Sequence, residues 1–94
     1  MNISIIATFI AKAGYEAQLQ TLFMQVIEPT LQEKGCIKYA LHVNKENLQE
    51  FVFIEEWQSQ SDLDKHLKSA HIKKLFNDAH GLIEFSEMKK LQLI

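Results

Sequence analysis

The sequence predicts an α+β fold whose elements follow the order β-α-β-β-α-β. Runs of alternating β-branched and aromatic residues occur near the start, in the middle and near the end of the chain, and two stretches with apolar residues at helical spacing lie between them. The chain has three glycines and one proline. Few positions therefore interrupt the structure, and the elements must follow one another almost without linkers.

The first third of the chain is predicted to form a strand and a helix. Alternating apolar residues predict a strand over Ile3–Ala11. From Tyr15 to about Glu33 the apolar spacing predicts a helix with one buried stripe, and Gly35 is a suitable stop. Pro29 falls inside this helix and should kink or loosen its last turn, because it lacks a backbone N–H.

Three more strands are predicted. Two of them, Cys36–Val43 and Phe51–Trp57, are joined by the polar segment 44–50, which suits a hairpin loop, and the last covers Ile83–Leu93. With the helices between them, these strands give a four-stranded antiparallel sheet covered by both helices on one face. This is the ferredoxin-like arrangement.

The second helix begins after the third strand. Ser59 or Ser61 offers a cap, and the helical pattern runs to about Lys68. It continues over Ala70–His80 either directly or after a break near Ser69, and the sequence leaves both possibilities open.

Length and patterning predict one domain over residues 1–94 and association with a second copy. A chain of 94 residues buries only roughly 60 to 65% of the surface that its unfolded form exposes. Helices cover one face of the predicted sheet, yet Ile6 and Ile10 point away from Ile5 and Phe9 in the first strand, and the third strand repeats this pattern. A second copy is the simplest cover for the other face, so we expect a homodimer.

Charge and cysteine usage exclude several classes of protein. The net charge is −2, the basic residues are ten lysines without an arginine, and no basic stripe is present. We therefore expect no nucleic-acid partner and no strongly anionic ligand. The apolar N-terminal run is too short to span a membrane, and the single cysteine, Cys36, has no partner for a disulfide. These features predict a cytoplasmic protein without a membrane partner.

Three polar or titratable residues, Glu55, Trp57 and His66, fall on surfaces that should be buried, so a carboxylate, an indole and an imidazole could line one cavity. Glu55 shares a strand face with Phe53 and Trp57, so its side chain either pairs with a lysine at the sheet edge or is a partly desolvated carboxylate. His66 lies on the apolar stripe of its helix, as a hydrogen-bonded core residue or as an acid–base group. His71 reaches the same opening only if the helix breaks near Ser69.

Other candidates are weaker. The histidines 66, 71 and 80 are five and nine residues apart, which does not match the spacing of three or four that two metal ligands on one helix need, so no metal is expected. Trp57 is either a core residue or a ligand contact. Tyr39 and His42 lie on opposite faces of the second strand, so no more than one of them points under the helices.

Four segments in this order, AKAG, EKGCIKYALH, FVFIEEW and LDKHLKSAH, resemble the antibiotic biosynthesis monooxygenase family over almost the whole chain. The resemblance implies a dimeric α+β barrel that oxidises hydroquinones or anthrone-like phenols with dioxygen and without cofactor or metal. In that reaction His66 would take the phenolic proton, with Glu55 or His71 orienting it. The substrate-contacting residues would be Trp57, Phe53, Tyr39 and His42.

The same resemblance leaves other functions open. Haem-degrading relatives use an asparagine where this chain has Ala7, which disfavours haem cleavage, and isomerases of phosphorylated signalling metabolites are disfavoured by the missing arginine. Lys34 and Ala70 stand where many family members have proline. A protein that binds a small hydrophobic metabolite without converting it would use the same buried residues, as would an isomerase.

Overall fold

Four strands and four helices make up the computed structural model, which describes residues 1–94. Their order is β1 (Ile3–Ala11), α1 (Glu16–Gln25), α2 (Ile27–Leu31), β2 (Cys36–Asn44), β3 (Asn47–Trp57), α3 (Gln60–Leu67), α4 (Ala70–Ala79) and β4 (Ile83–Leu91). The strands pair antiparallel in the order β2-β3-β1-β4. The predicted ferredoxin-like fold is thus confirmed. None of the helices has the length and apolar character needed to cross a membrane.

The first predicted helix is divided in two at Val26. Pro29 has no N–H to donate to the carbonyl of Gln25, and its ring would collide with that carbonyl in a continuous helix. The chain therefore ends α1 at Gln25 and starts α2 at Ile27, which leaves Pro29 in the first turn, where a missing N–H costs nothing. Thr30 of α2 is fully buried, and its hydroxyl lies 3.1 Å from Nε2 of His71 in the first turn of α4.

The hairpin between β2 and β3 is tighter than predicted. Segment 44–50 was expected to be a loop, but the strands continue to a turn at residues 45–46. Asn44 organises this turn: its Oδ1 accepts a hydrogen bond from the backbone N–H of Glu46 at 2.9 Å, and its Nδ2 donates to Glu50 at 3.0 Å. A short polar side chain that bonds to the backbone stabilises a tight turn, so a polar segment does not have to form a long loop.

The core lies between the inner face of the sheet and the helices. The inner residues of β1 are buried: Ile5, Ala7, Phe9 and Ala11. In the pairing of β1 with β3, Ala7 lies opposite Phe53. The outer residues of β1 are only half-buried. The predicted alternation is therefore confirmed, and one face of the sheet has no cover within the chain.

Gly35 and the start of α3 are packed against each other. Ser59 caps α3 by accepting the N–H of Asp62 at 3.1 Å, and its hydroxyl donates to the Asp62 carboxylate at 3.0 Å. Gly35 has φ +84°, and a Cβ at this position would overlap the Asp62 side chain. Only glycine permits this close approach, which sets the position of the segment that leads from α2 into β2.

Candidate active site

A cavity of about 240 Å³ lies between the inner sheet face and helices α3 and α4. Nine of its 13 lining residues are hydrophobic, among them Phe9, Phe53, Phe76 and Met88. Tyr39, one of these nine, adds a hydroxyl group, and Glu55 and His66 are among the four polar lining residues. The cavity thus combines apolar walls with a few polar groups, as sites for small organic molecules usually do.

Ala7 creates much of this space. It sits in the middle of β1, between Phe53 on β3 and Met88 on β4. Its methyl side chain lines the cavity, whereas the neighbouring inner residues of β1, Ile5 and Phe9, are large. A small residue between large neighbours leaves a hollow in an otherwise closely packed sheet face.

Glu55 is a buried carboxyl group at the cavity wall. It is 5% exposed, and its Oε1 accepts a hydrogen bond from Nε1 of Trp57 at 2.9 Å. Burial raises the pKa of Glu55 from 4.5 to about 7, although the Trp57 hydrogen bond opposes this shift. Of the two possibilities left open by the sequence, the desolvated carboxyl group is therefore the one observed. Near neutral pH it exists in both protonation states.

His66 stands across the site on the last turn of α3. It is 3% exposed, with its ring 4.6 Å from that of Trp57 and 5.3 Å from that of Tyr39. Burial lowers the pKa of His66 below 6.5, and the adjacent Glu33 opposes that shift. At neutral pH the imidazole is therefore uncharged and able to accept a proton.

Glu33 joins His66 to His71. Its Oε2 lies 2.7 Å from Nδ1 of His66 and 2.9 Å from Nε2 of His71. A carboxylate only accepts hydrogen bonds, so in the ionised form each bond uses a proton of the imidazole. With its proton on Nδ1, His66 has Nε2 as its basic nitrogen, and His66 is a residue that lines the cavity.

A break between α3 and α4 makes this arrangement possible. Ser69 is extended, at φ −66° and ψ 154°, and its hydroxyl donates to the carbonyl of His66 at 2.7 Å. The break places His71 in the first turn of α4, with the two imidazole centroids 6.1 Å apart. The possible helix break near Ser69 is therefore confirmed, and with it the approach of the two histidines.

Thr30 and Tyr39 extend the polar cluster. The Thr30 hydroxyl lies 3.1 Å from Nε2 of His71 and is fully buried. Burial, followed by the charge of Glu55, raises the pKa of Tyr39, so its hydroxyl stays protonated and can donate a hydrogen bond. Burial and the charges of Glu33 and Glu55 likewise raise the pKa of Cys36 to about 11. This thiol is therefore a poor nucleophile at neutral pH.

Glu33, His66 and His71 are also the residues that could hold a cation, because their donor atoms lie within 4.8 Å of one another. Histidines five residues apart cannot share a metal ion on one continuous helix, but the break at Ser69 removes this restriction for His66 and His71. His80 is not part of the cluster. Yet a single carboxylate oxygen faces both imidazoles at ordinary hydrogen-bond distances. Protons account fully for these contacts.

The structure brings most, but not all, of the predicted site residues together. Tyr39, Phe53, Glu55 and His66 line the cavity, and His71 joins them through Glu33. Trp57 lies behind the wall, fully buried, and supports Glu55 and His66.

His42 requires a correction, because it does not line this cavity. Alternation along β2 turns it away from the inner face that Tyr39 occupies, and its side chain is exposed with Nδ1 3.3 Å from the carbonyl of Ala40.

Glu33 was missed by the sequence analysis, which used it only to mark the end of a helix. Its signal was its place directly before the turn at Gly35, which leads into the strand that carries Tyr39. Polar residues beside such a turn lie at the end of a helix, where they can reach a neighbouring element. Nothing in the local pattern identified that element as α3.

A family model described as antibiotic biosynthesis monooxygenase matches residues 2–78. The chain belongs to the antibiotic biosynthesis monooxygenase family. The crystal structure of another antibiotic biosynthesis monooxygenase is 26% identical to this family member, with a TM-score of 0.92 and coverage of 98% of each chain. PA3566 from Pseudomonas aeruginosa has the same fold, with a TM-score of 0.95, 24% identity and coverage of 99% of this chain and 94% of its own.

A curated relative of this family member is the uncharacterized protein sll1783 from Synechocystis. It is 25% identical over 72 residues, which are 77% of this chain and 49% of that protein. The chain thus spans about half the length of this relative.

Proposed function

We propose that this protein is a cofactor-independent monooxygenase that oxidises a small hydroquinone, anthrone-like or other phenolic compound with dioxygen. The observation that carries this proposal is the neutral, Glu33-bonded His66 at the wall of an apolar cavity. Membership of the antibiotic biosynthesis monooxygenase family supports the reaction class.

The cavity suits an aromatic ring with a hydroxyl group. Phe9, Phe53 and Phe76 provide apolar surface for the ring. The polar groups Tyr39, Glu55 and His66 would then face the hydroxyl. A ring held in this way has one orientation, which is the main contribution that a protein can make to a reaction between two small molecules.

Proton transfer is divided between two groups whose pKa values are shifted in opposite directions. His66, with its pKa lowered, would take the phenolic proton on Nε2, and Glu33 would stabilise the resulting imidazolium. Glu55, with its pKa raised to about 7, retains a proton on part of the molecules at neutral pH and could donate a hydrogen bond to the substrate. Opposite shifts of this kind are typical of acid–base pairs in active sites.

The phenolate supplies the electrons for the oxygen step. In an anthrone-like compound the ring methylene and dioxygen would give a carbonyl group and one water molecule, so one oxygen atom enters the product and the other leaves as water. The apolar walls would keep bulk water away from the intermediate. The substrate and dioxygen together balance this reaction.

We also infer that the protein acts as a homodimer in the cytoplasm. Ile6 of β1 and Ile54 of β3 pair at the centre of the outer sheet face and are only half-buried. Packing two such faces together would bury them and form the α+β barrel of the resemblance. The single free thiol of Cys36 is compatible with a reducing compartment.

Oxygen uptake by the metal-stripped protein tests the proposed reaction. A panel of reduced quinones and anthrone-like phenols is supplied, and spontaneous autoxidation is subtracted. We expect uptake above this background and a loss of about 10²–10⁴-fold in His66→Ala, with His80→Ala, an exposed histidine of the same chain, unaffected. Full activity of His66→Ala would remove the proposed base.

No uptake across the panel would contradict the monooxygenase. Binding of the same compounds without oxygen uptake would then favour a binding protein, and a product formed without oxygen uptake would favour an isomerase.

A further inference from the structure

The hydrogen-bonded residues Glu33, His66 and His71, called the Glu33 cluster below, reach two different cavities of the molecule. His66 lines the main cavity, whereas His71 lines a second, smaller cavity of about 70 Å³ beside α1 and α4. Leu75 contributes to both cavities and is buried, so it forms part of the wall between them. The hydrogen bonds of Glu33 therefore pass through this wall.

The free nitrogens of the two imidazoles are at opposite ends of the cluster. Nδ1 of His66 and Nε2 of His71 are both bonded to Oε2 of Glu33. Nε2 of His66 remains for a substrate in the main cavity. Nδ1 of His71 has no hydrogen-bond partner in the protein, and His71 lines the second cavity with a side chain that is 23% exposed, so this nitrogen is available to water. An imidazole that is bonded through one nitrogen and free at the other can pass a proton from one side to the other.

We propose that His66, Glu33 and His71 form a proton relay that carries the substrate proton from the main cavity to solvent at the second cavity. This inference rests on the proposed function, because that reaction begins with the deprotonation of a phenol. His66 is the catalytic residue, since it faces the substrate. Glu33 and His71 act through it.

The transfer balances when it starts with Glu33 ionised and His71 protonated on both nitrogens. The phenolic proton adds to Nε2 of His66, and the Nδ1 proton of His66 passes to Oε2 of Glu33. Nδ1 of His71 then releases its proton to solvent. Phenolate remains in the cavity, His71 has released one proton to solvent, Glu33 holds one in its place, and the net charge of the three side chains is unchanged. When the oxidised product takes its phenolic proton back from Nε2 of His66, Glu33 returns its proton to Nδ1 of His66 and His71 rebinds a proton from solvent, which restores the starting state.

Such a relay prevents the proton from returning to the substrate at once. A proton that stays on His66 lies next to the phenolate and neutralises it by the reverse transfer. The substrate itself would occupy the main cavity, whose walls are mostly apolar, so this cavity is a poor exit for a proton. The second cavity is lined by two exposed charged residues, Lys74 and Asp78, so a proton released there is close to solvent.

The experiment follows the anion and the released proton separately. An anaerobic stopped-flow instrument mixes metal-stripped protein with 1,8-dihydroxyanthrone in weakly buffered solution with a pH-indicator dye. The anthrone absorbance reports the anion, and the dye reports protons in solution. For the parent protein we expect one proton in solution for each anion, with equal rate constants.

His71→Gln is the decisive variant. A glutamine amide can donate a hydrogen bond to Glu33 but cannot pass a proton on. We expect its dye signal to be lost or delayed relative to the anion signal. In His71→Ala, added imidazole should increase the rate constant of proton release in proportion to its concentration, with the dye response calibrated at each imidazole concentration. His80→Ala removes an exposed imidazole elsewhere and should behave like the parent.

Three results would overturn the relay. One is an unchanged dye signal in His71→Gln. Another is a stripped protein that forms the anion only after ZnCl₂ is added, since the cluster would then hold a cation. The last is a parent protein that forms no anion, which would overturn the proposed function as well and is recognised by the silent anthrone absorbance.

Discussion

Nδ1 of His66 lies 2.7 Å from Oε2 of Glu33, although Glu33 lies in the turn after α2, His66 lies in α3, and the two residues are 33 positions apart in the chain. This bond sets the tautomer of a buried imidazole and leaves Nε2 for the cavity. A carboxylate that orients a histidine in this way also stabilises its protonated form. The basicity of His66 therefore depends on Glu33 as well as on burial.

Glu33→Gln tests this dependence. Glutamine keeps an acceptor for the Nδ1 proton but removes the negative charge, so the pKa of His66 should fall further. We expect the acid limb of the pH–rate profile to move to lower pH, and the plateau rate to fall roughly tenfold for each pKa unit of lost basicity. Oxygen uptake between pH 5 and 9 measures both. Glu28→Gln, an exposed change of the same charge on α2, is the control; an identical effect there would exclude a specific role for Glu33.

Glu55→Gln should make the protein more stable at alkaline pH. The pKa of Glu55 is about 7 in the folded protein and 4.5 in the reference state, so the folded state binds more protons between these values. The free energy of unfolding must then fall as the pH rises from about 4.5 to about 7, by up to about 3 kcal/mol from this group. Glutamine does not ionise, so the variant avoids this decrease in the free energy of unfolding, and its amide oxygen still accepts the Trp57 hydrogen bond.

Urea unfolding at pH 5 and pH 8 measures the effect. The stability gain of Glu55→Gln over the parent should be larger at pH 8 than at pH 5. Glu84→Gln changes an exposed carboxylate on β4 and should show no such difference. Equal gains at both pH values would mean that Glu55 is ionised throughout.

Ala7→Leu should block the cavity without unfolding the protein. The larger side chain would extend into the space between Phe53 and Met88, so we expect a stability cost of no more than about 1–3 kcal/mol and a large loss of ligand affinity. Trp57 is the single tryptophan and lies behind the cavity wall, so quenching of its fluorescence by menadione reports binding. Ala17→Leu on the exposed side of α1 is the matched change. Unchanged quenching in Ala7→Leu would place the ligand elsewhere.

Gly35→Ala should destabilise the protein more than Gly14→Ala. Both glycines have positive φ, +84° and +91°, but a Cβ at Gly14 meets nothing within 4 Å, whereas one at Gly35 overlaps Asp62. The backbone strain is common to the two variants, so the difference isolates the overlap and should be about 1–3 kcal/mol. Thermal unfolding compares them. Equal losses would show that α3 can move away from Gly35 freely.

Ile54→Lys should prevent the proposed dimer. Placing a charge at the centre of the outer sheet face opposes burial of that face, so sedimentation equilibrium should give a monomer for this variant and a dimer for the parent. Met24→Lys, an exposed change on α1, should remain dimeric. A dimeric Ile54→Lys would mean that another surface forms the contact.

Much of the fold could be predicted because its signals are local. Alternation along Ile3–Ala11 and the apolar spacing in the helices each depend on neighbours in the sequence. The errors arose where one side chain changed a boundary. Asn44 closes the hairpin early, and Pro29, which was expected to kink or loosen the last turn of its helix, goes with a full division of that helix at Val26.

The site was predictable only in part, because sequence periodicity relates residues within one strand or helix and not residues on different elements. Residues on one strand or helix face, such as Phe53 and Glu55, share a face by periodicity alone. His42 was included because it matches the pattern of the family that the sequence resembles, although alternation turns it outward.

The sequence by itself determined the order of the elements and the inward direction of Glu55 and His66, since both follow from periods of two and 3.6 residues. Only the tertiary structure decided what His66 bonds to. Glu33, His66 and His71 meet because the first helix is interrupted before Pro29, Gly35 allows close packing and the second helix is interrupted at Ser69. Contacts between distant segments depend on how whole elements pack, and no local pattern carries that information.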